Sequence, residues 1–311
     1  MRFVLGIDIG GTNLVVGSVA EDGSVLHAMA SEPTHAEAGA TAVVDRLVAL
    51  AERAIARTRR EVPGAQIAGV GVGAPGPLDT RSGVVLLTPN LGWVNMPLRK
   101  IIHDRLGLPA ALDNDANCAV LGEWWVGAAR GARHAIGITI GTGIGGGLVL
   151  DGKLYHGASD VAGEIGHTTI DTQGRRCKCG NYGCLEAYAS GPNIAMRAIE
   201  AAEAGAETSL SRLVDGDLRK ISAQTVYEAA RAGEGRAPRT ALHCLGRLRS
   251  HRIAARDGPL VGEADSRLAP LAMSIGARHD IQGFARSWEA VPAGLLQSFF
   301  GAGNRCICTI F

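Results

Sequence analysis

Between Gly163 and Ala187, four potential soft-metal ligands, His167, Cys177, Cys179 and Cys184, fall within eighteen residues. Four side chains reach one small ion only if the backbone doubles back, and Gly174, Gly180 and Gly183 lie where such turns are needed. Thiolates and an imidazole in a closed set of four are donors that zinc takes in structural sites, with metal–sulfur distances of about 2.3 Å. A full protein set leaves no open position for a catalytic water, so such an ion shapes a site and does no chemistry itself. Two carboxylates, Glu164 and Glu186, flank the cluster. The competing reading, a disulfide or unpaired loop thiols, fits less well: the chain has seven cysteines, an odd number, and no secretory leader is evident before its first apolar segment.

A second constraint is a repeat. Phe3–Ile9 reads as a buried strand, Gly10-Gly11-Thr12-Asn13 as a turn, and Leu14–Ala20 as a second strand; Asp22-Gly23 then reverses the chain into a third, Val25–Met29. A dinucleotide-binding turn would open a helix and read G-x-G-x-x-G, whereas this one opens a strand. It is either an ordinary tight hairpin or one that aims backbone N–H groups at phosphate oxygens, with Asp8 placed to hold a magnesium ion through its waters. Gly137-Ile138-Thr139-Ile140-Gly141 repeats the pattern: glycines follow (Gly141-Thr142-Gly143-Ile144-Gly145-Gly146-Gly147), then strand Leu148–Leu150 and the turn Asp151-Gly152. Two copies of one α/β half, facing each other across a cleft, are expected, each offering one phosphate loop.

Between the copies, Thr41–Arg60 has helical periodicity, Gln66–Val72 is a buried strand, and Gly73-Ala74-Pro75-Gly76-Pro77 is a rigid turn. Thr88–Trp93 reads as a polar loop with Trp93 in the core. A helix over Pro97–Leu106 and a strand over Pro109–Leu112 deliver Asp113-Asn114-Asp115 ahead of a helix over Ala116–Arg130, with Cys118 as a core residue. Acids there are either helix caps or a general base that orients a hydroxyl and takes its proton late in phosphoryl transfer; the nearby glycine loops favour the base. Asn193–Ala204 and Ser222–Ala232 are amphipathic, the second with Ser222 as cap and Gly233 as stop.

A net charge of +1 gives no electrostatic reason to expect nucleic acid or a membrane surface as partner, and the longest uncharged run, Ala135–Leu150, is too short and glycine-rich to span a bilayer. The expected location is cytoplasmic.

Asp8 to Thr12, Asp113 to Asn117, Glu164 to His167 and Cys177 to Glu186 together resemble the ROK family of sugar kinases and repressors, in particular its bacterial glucokinases, over Met1 to about Gly235. The resemblance implies an α/β actin-like (ribonuclease-H-like) ATPase fold of two lobes around a cleft, with a zinc-binding loop, that moves the γ-phosphate of ATP, carried with Mg2+, to the 6-hydroxyl of glucose or a related hexose. It implies Asp115 as catalytic base, and Asn90, Asn114, Glu164, His167 and Glu186 as sugar ligands. His167 would hold zinc with one ring nitrogen and a sugar hydroxyl with the other. ATP falls to Asp8, Gly10, Gly11, Thr12, Asn13, Gly141, Thr142, Gly143 and Gly145. The implied assembly is a dimer or tetramer. The small lobe is expected at 1–113 and the large lobe at 114–235. A repressor of this fold carries a helix-turn-helix ahead of the first phosphate loop, and Asp8 comes too early for one.

From Arg236 to Phe311 the expected strand with its glycine pair for the adenosine and the returning helix are missing, as in a tail read from a shifted frame. Cys306 and Cys308 have no neighbouring ligands in sequence and are not expected to form a second metal site.

Overall fold

The computed structural model describes residues 1–206, 208–231 and 306–310. Strand β1 (Arg2–Ile9) alternates, burying Phe3, Leu5, Ile7 and Ile9 on one face. It pairs antiparallel with β2 (Asn13–Ala20), which pairs with β3 (Leu26–Pro33). Helix α1 (Ala40–Glu61) then crosses over, burying Val43, Val44, Leu47, Val48, Leu50, Ala51, Ala54 and Ile55 at helical spacing. The crossover lets β4 (Gln66–Ala74) lie parallel to β1.

Three short strands follow, β5 (Leu78–Asp79), β6 (Val84–Thr88) and β7 (Trp93–Met96), paired as a small antiparallel sheet. The expected polar loop at Thr88–Trp93 is therefore the hairpin end of that sheet, with a 3-10 turn at Pro89–Leu91. Trp93 is buried as expected. After α2 (Leu98–Leu106), β8 (Ala110–Asn114) joins β4 in parallel and completes the order β3-β2-β1-β4-β8. The register puts Asp8, Gly73 and Asp113 side by side at the carboxyl ends of three parallel strands, where ligands of open α/β sheets bind.

Helix α3 (Asp115–Trp125) ends five residues before the expected Arg130. The cause is local: the Glu123 carboxylate accepts the Ala128 N–H at 2.9 Å, and Gly127 permits the tight turn beneath it. The second sheet repeats the first meander with β9 (Ala135–Ile140), β10 (Ile144–Leu150) and β11 (Lys153–Leu154). Its glycine turn is shorter than the sequence suggested, because Gly145, Gly146 and Gly147 lie inside β10. Their lack of side chains lets neighbours come close: a Cβ on Gly145 would stand 2.7 Å from that of Ala116 on α3. Both turns then have three residues, 10–12 and 141–143, between their strands. Strand β12 (Cys306–Ile310) pairs antiparallel with the outer side of β9, giving β11-β10-β9-β12. In the first sheet the same position is held by β4, running parallel.

Four helices complete the described chain: α4 (Glu186–Ala189), α5 (Gly191–Glu203), α6 (Leu210–Leu213) and α7 (Ala223–Arg231). Gly233 and the tail from Arg236 to residue 305 lie outside the described residues. Among the described residues, no helix is long and apolar enough to cross a membrane.

Candidate active site and metal cluster

The 168–185 segment folds back on itself through Leu185 N to Thr168 O (3.0 Å), Ile170 N to Gly183 O (2.8 Å) and Cys177 N to Asn181 O (2.8 Å). Gly180 and Gly183 take positive φ, 97° and 70°, and a Cβ on Gly183 would collide with the Asp171 carbonyl. The fold-back gathers one donor atom each from His167, Cys177, Cys179 and Cys184 to within 4.8 Å of one another. Cys177 Sγ lies 3.8 Å from His167 Nδ1, and Cys179 Sγ lies 3.7 Å from Cys184 Sγ. A tetrahedron with metal–sulfur bonds of about 2.3 Å has edges of about 3.8 Å, so the donors stand apart as ligands do and not as the ~2 Å pair of a disulfide. Burial pushes the Cys184 thiol up to about 12 and raises Cys177, whereas the Asn181 N–H on its sulfur lowers Cys179. Without a cation the two buried thiols therefore stay protonated, and a metal would have to displace their protons. The soft set of four donors fits zinc.

Glu186, the first residue of α4, joins this cluster to the second glycine turn. Its Oε2 accepts the Ile144 N–H at 2.8 Å, and Cys177 Sγ stands 3.9 Å from its Oε1. Gly143 leaves room for this carboxylate, since a Cβ there would come within 2.6 Å of Glu186 Oε2 and would displace it. Gly191 N donates to Gly141 O at 2.9 Å, closing the other side of the turn. The first glycine turn has a different brace: Gly10 N meets Asn13 O (2.9 Å), and Thr34 clamps it through N to Thr12 O (2.8 Å) and Oγ1 to Gly10 O (2.7 Å). Asn90, exposed on the 3-10 turn, lies beside Gly11, whose added Cβ would be 3.7 Å from its own.

Asn114 caps α3: its Oδ1 accepts from Ala116 N (2.9 Å) and Asn117 N (3.3 Å), so its amide N–H donors point elsewhere. Asp115 opens the helix. Cys118, half-buried and not a core residue, marks where the acids converge: burial first, then Asp113, Asp115 and Asp8, raise its thiol. Glu164 faces the same space. Partial loss of water raises its carboxyl, His167 draws it back, and Asp115 and Glu186 push it up again. Asp115, Glu164, His167 and Glu186 thus share one neighbourhood, in which three carboxylates able to accept hydroxyl hydrogen bonds stand near an imidazole.

The sequence profile of the ROK family matches residues 4–256. The chain belongs to the ROK family. The match passes Gly235, so the departure from the family begins later than the motif pattern suggested. The glucokinase of Thermotoga maritima is 39% identical over 233 residues, 74% of this chain and 70% of the relative. A ROK family glucokinase from Streptomyces griseus, solved with glucose and AMPPNP, superposes with a TM-score of 0.65 at 35% identity, covering 80% of this chain and 79% of that one. The xylose repressor of Caldicellulosiruptor bescii is 48% identical over 124 residues, 40% of this chain and 31% of the relative. With these neighbours, the α/β architecture of this ROK protein is consistent with the actin-like ATPase fold.

Sequence reasoning missed three residues at this ROK site. Thr34 clamps the first turn from 24 residues away. His156 Nε2 lies 2.7 Å from Asp113 Oδ2, and Asn117 Nδ2 donates to Asp113 Oδ1 at 3.0 Å. The signals for two of them were the histidine's place ahead of Gly163-Glu164 and Asn117's place at the end of the Asp113–Asn117 motif; nothing in the sequence marked Thr34.

Proposed function

We propose that this chain is a sugar kinase that transfers the γ-phosphate of ATP to the 6-hydroxyl of glucose. The observation that carries the reading is the meeting of Asp115 with Glu164, His167 and Glu186, from three separate segments, beside a glycine turn. Asp115 serves as base, orienting the hydroxyl and taking its proton as the phosphoryl group moves across. Asn90, Asn114, Glu164, His167 and Glu186 hold the other hydroxyls, and their charge-assisted hydrogen bonds discriminate among sugars. His167, Cys177, Cys179 and Cys184 hold zinc, which fixes the tautomer and ring angle of His167 so that its other nitrogen meets the sugar.

The turns Gly10-Gly11-Thr12-Asn13 and Gly141-Thr142-Gly143, with Gly145 just inside β10, receive the phosphates of ATP. Asp8 takes the magnesium that travels with them and offsets their charge. On this reading 1–113 and 114–235 are the two lobes, which close on the sugar in the cytoplasm as part of a dimer or tetramer. The 124-residue stretch that is 48% identical to a xylose repressor favours, as a second reading, a protein that binds sugar without turning it over.

Assay of the purified chain with ATP and glucose, mannose or N-acetylglucosamine separates these. Phosphorylation of glucose above the others is expected, with Asp115→Asn lowering kcat by about a thousandfold. Glucose binding without turnover would establish the second reading, turnover that survives Asp115→Asn would remove the base, and preference for another sugar would move the substrate.

A further inference from the structure

His156 sits between β11 and the Glu164–His167 segment, in none of the roles described so far. Its Nε2 lies 2.7 Å from Asp113 Oδ2; a carboxylate only accepts, so the proton is on Nε2 and the ring donates. Both groups are mostly shielded, the His156 side chain 30% and Asp113 21% exposed. The other oxygen of Asp113 takes Asn114 N at 2.8 Å and Asn117 Nδ2 at 3.0 Å, so one carboxylate gathers three donors from two segments. Asn117 turns its amide toward Asp113 although this leaves its own Oδ1 buried without a partner among the described residues. The orientation that feeds Asp113 is thus kept at the expense of another buried group.

The histidine's own segment is also anchored. Ala162 N donates to His156 O at 3.1 Å, and Asp160, in the left-handed region at φ 57°, accepts Thr80 N (2.9 Å) and Thr80 Oγ1 (3.0 Å). Residues 156–163 form a strut whose near end touches Asp113, next to Asn114-Asp115, and whose far end runs into Glu164.

We infer that His156 is a positioning residue: through Asp113 it holds the Asn114-Asp115 turn at a set distance from the Glu164–His167 segment, aligning the base with the sugar hydroxyl. The catalytic part of this inference rests on the kinase reading above; the structural part does not. A carboxylate that spans two segments loses its register when the ring is removed, and a misplacement of an ångström at a base is enough to slow transfer.

The test uses the full chain and the variants His156→Ala and His156→Gln, since glutamine restores an N–H donor near the position of Nε2. In His156→Ala, kcat with ATP and glucose falls by about tenfold or more while the KM for ATP stays the same; His156→Gln recovers most of it. Independently of turnover, the Ala116 and Asn117 amides, which Asn114 caps, exchange about tenfold faster in His156→Ala and return in His156→Gln, with zinc content unchanged. Unchanged amide exchange in His156→Ala overturns the inference. So does a glutamine variant that behaves like alanine, or a parallel loss of zinc and of protection throughout the second sheet, which would make His156 a general structural residue. If the wild-type chain shows no turnover, the kinase reading fails and the amide measurement still decides the role of His156.

Discussion

The two larger sheets are built on one unit, strand, three-residue glycine turn, strand, Asp-Gly turn, strand, but are held together by different physics. Around the first, a single continuous cluster runs from Phe3 through α1 to Trp93, Leu98 and Leu112. Around the second, the described apolar residues split into small groups: Val120, Ala129, Ala135 and Val149 in one, Ile144, Leu185 and Ala189 in another. The same half also buries Asn117, Glu123 and two of the clustered cysteines, Cys177 and Cys184. The first half is held by burial, which is tolerant and non-directional. The second relies on directional bonds and a ligand set, which fix side chains at set distances. The proposed function fits that difference, since a sugar site needs its acids placed and a turn that only grips phosphates needs its backbone placed.

The comparison can be broken most sharply at the metal. Cys184→Ser, or chelation, should abolish zinc binding, an interaction worth on the order of 10 kcal/mol in small structural sites. The 168–185 segment should then become open to protease and sugar phosphorylation should stop, while amide protection in β1 and β4 persists; an equally protected segment without metal would show that burial holds both halves. Next in size, Leu47→Ala, fully buried in α1, should cost about 2–5 kcal/mol in denaturant titrations and leave zinc content unchanged.

A smaller loss, about 1–2 kcal/mol, is expected from Thr34→Val, which keeps the shape but takes the hydroxyl from Gly10 O. ATP affinity should weaken in that variant with glucose affinity preserved; the reverse would contradict the proposed separation of the phosphate-gripping turn from the sugar-facing acids. The least effect comes from Glu123→Gln. Burial raises the Glu123 carboxyl above its usual range, so the folded chain holds that proton more tightly than the unfolded chain. Its contribution to stability therefore falls as pH rises from the unfolded value toward the folded one and stays unfavourable above both. The amide can still accept the Ala128 N–H, so the variant should melt higher than wild type at neutral pH. The gap should close as pH drops below about 4, the usual carboxylate range, in scanning calorimetry. A gap independent of pH would deny the buried charge.

Much of this was legible in one dimension because the signals are local. The alternation in β1 and the apolar spacing of α1 located those elements to within a residue or two. The cysteine spacing announced a cluster because the ligands are near neighbours in sequence. The sheet of β5, β6 and β7 was missed because Leu86, Leu87 and Val94 stay exposed, which blurs the alternation that marks a half-buried strand. The early end of α3 was missed because a side chain, Glu123, takes over a backbone partner. In β10, three glycines read as loop because their cause is on another element, the close approach of α3 and of the Gly163 carbonyl.

What the amino-acid order alone determined was the set of candidate residues: the two glycine turns, the Asp113-Asn114-Asp115 strand end and the His167 cluster with its flanking acids. Tertiary structure alone decided how they are braced, with Thr34 under one turn, Glu186 under the other and His156 against Asp113 across 43 residues. The reason is physical: a hydrogen bond across a fold needs two groups a few ångströms apart in space and leaves no periodicity, spacing or composition along the chain by which to find it.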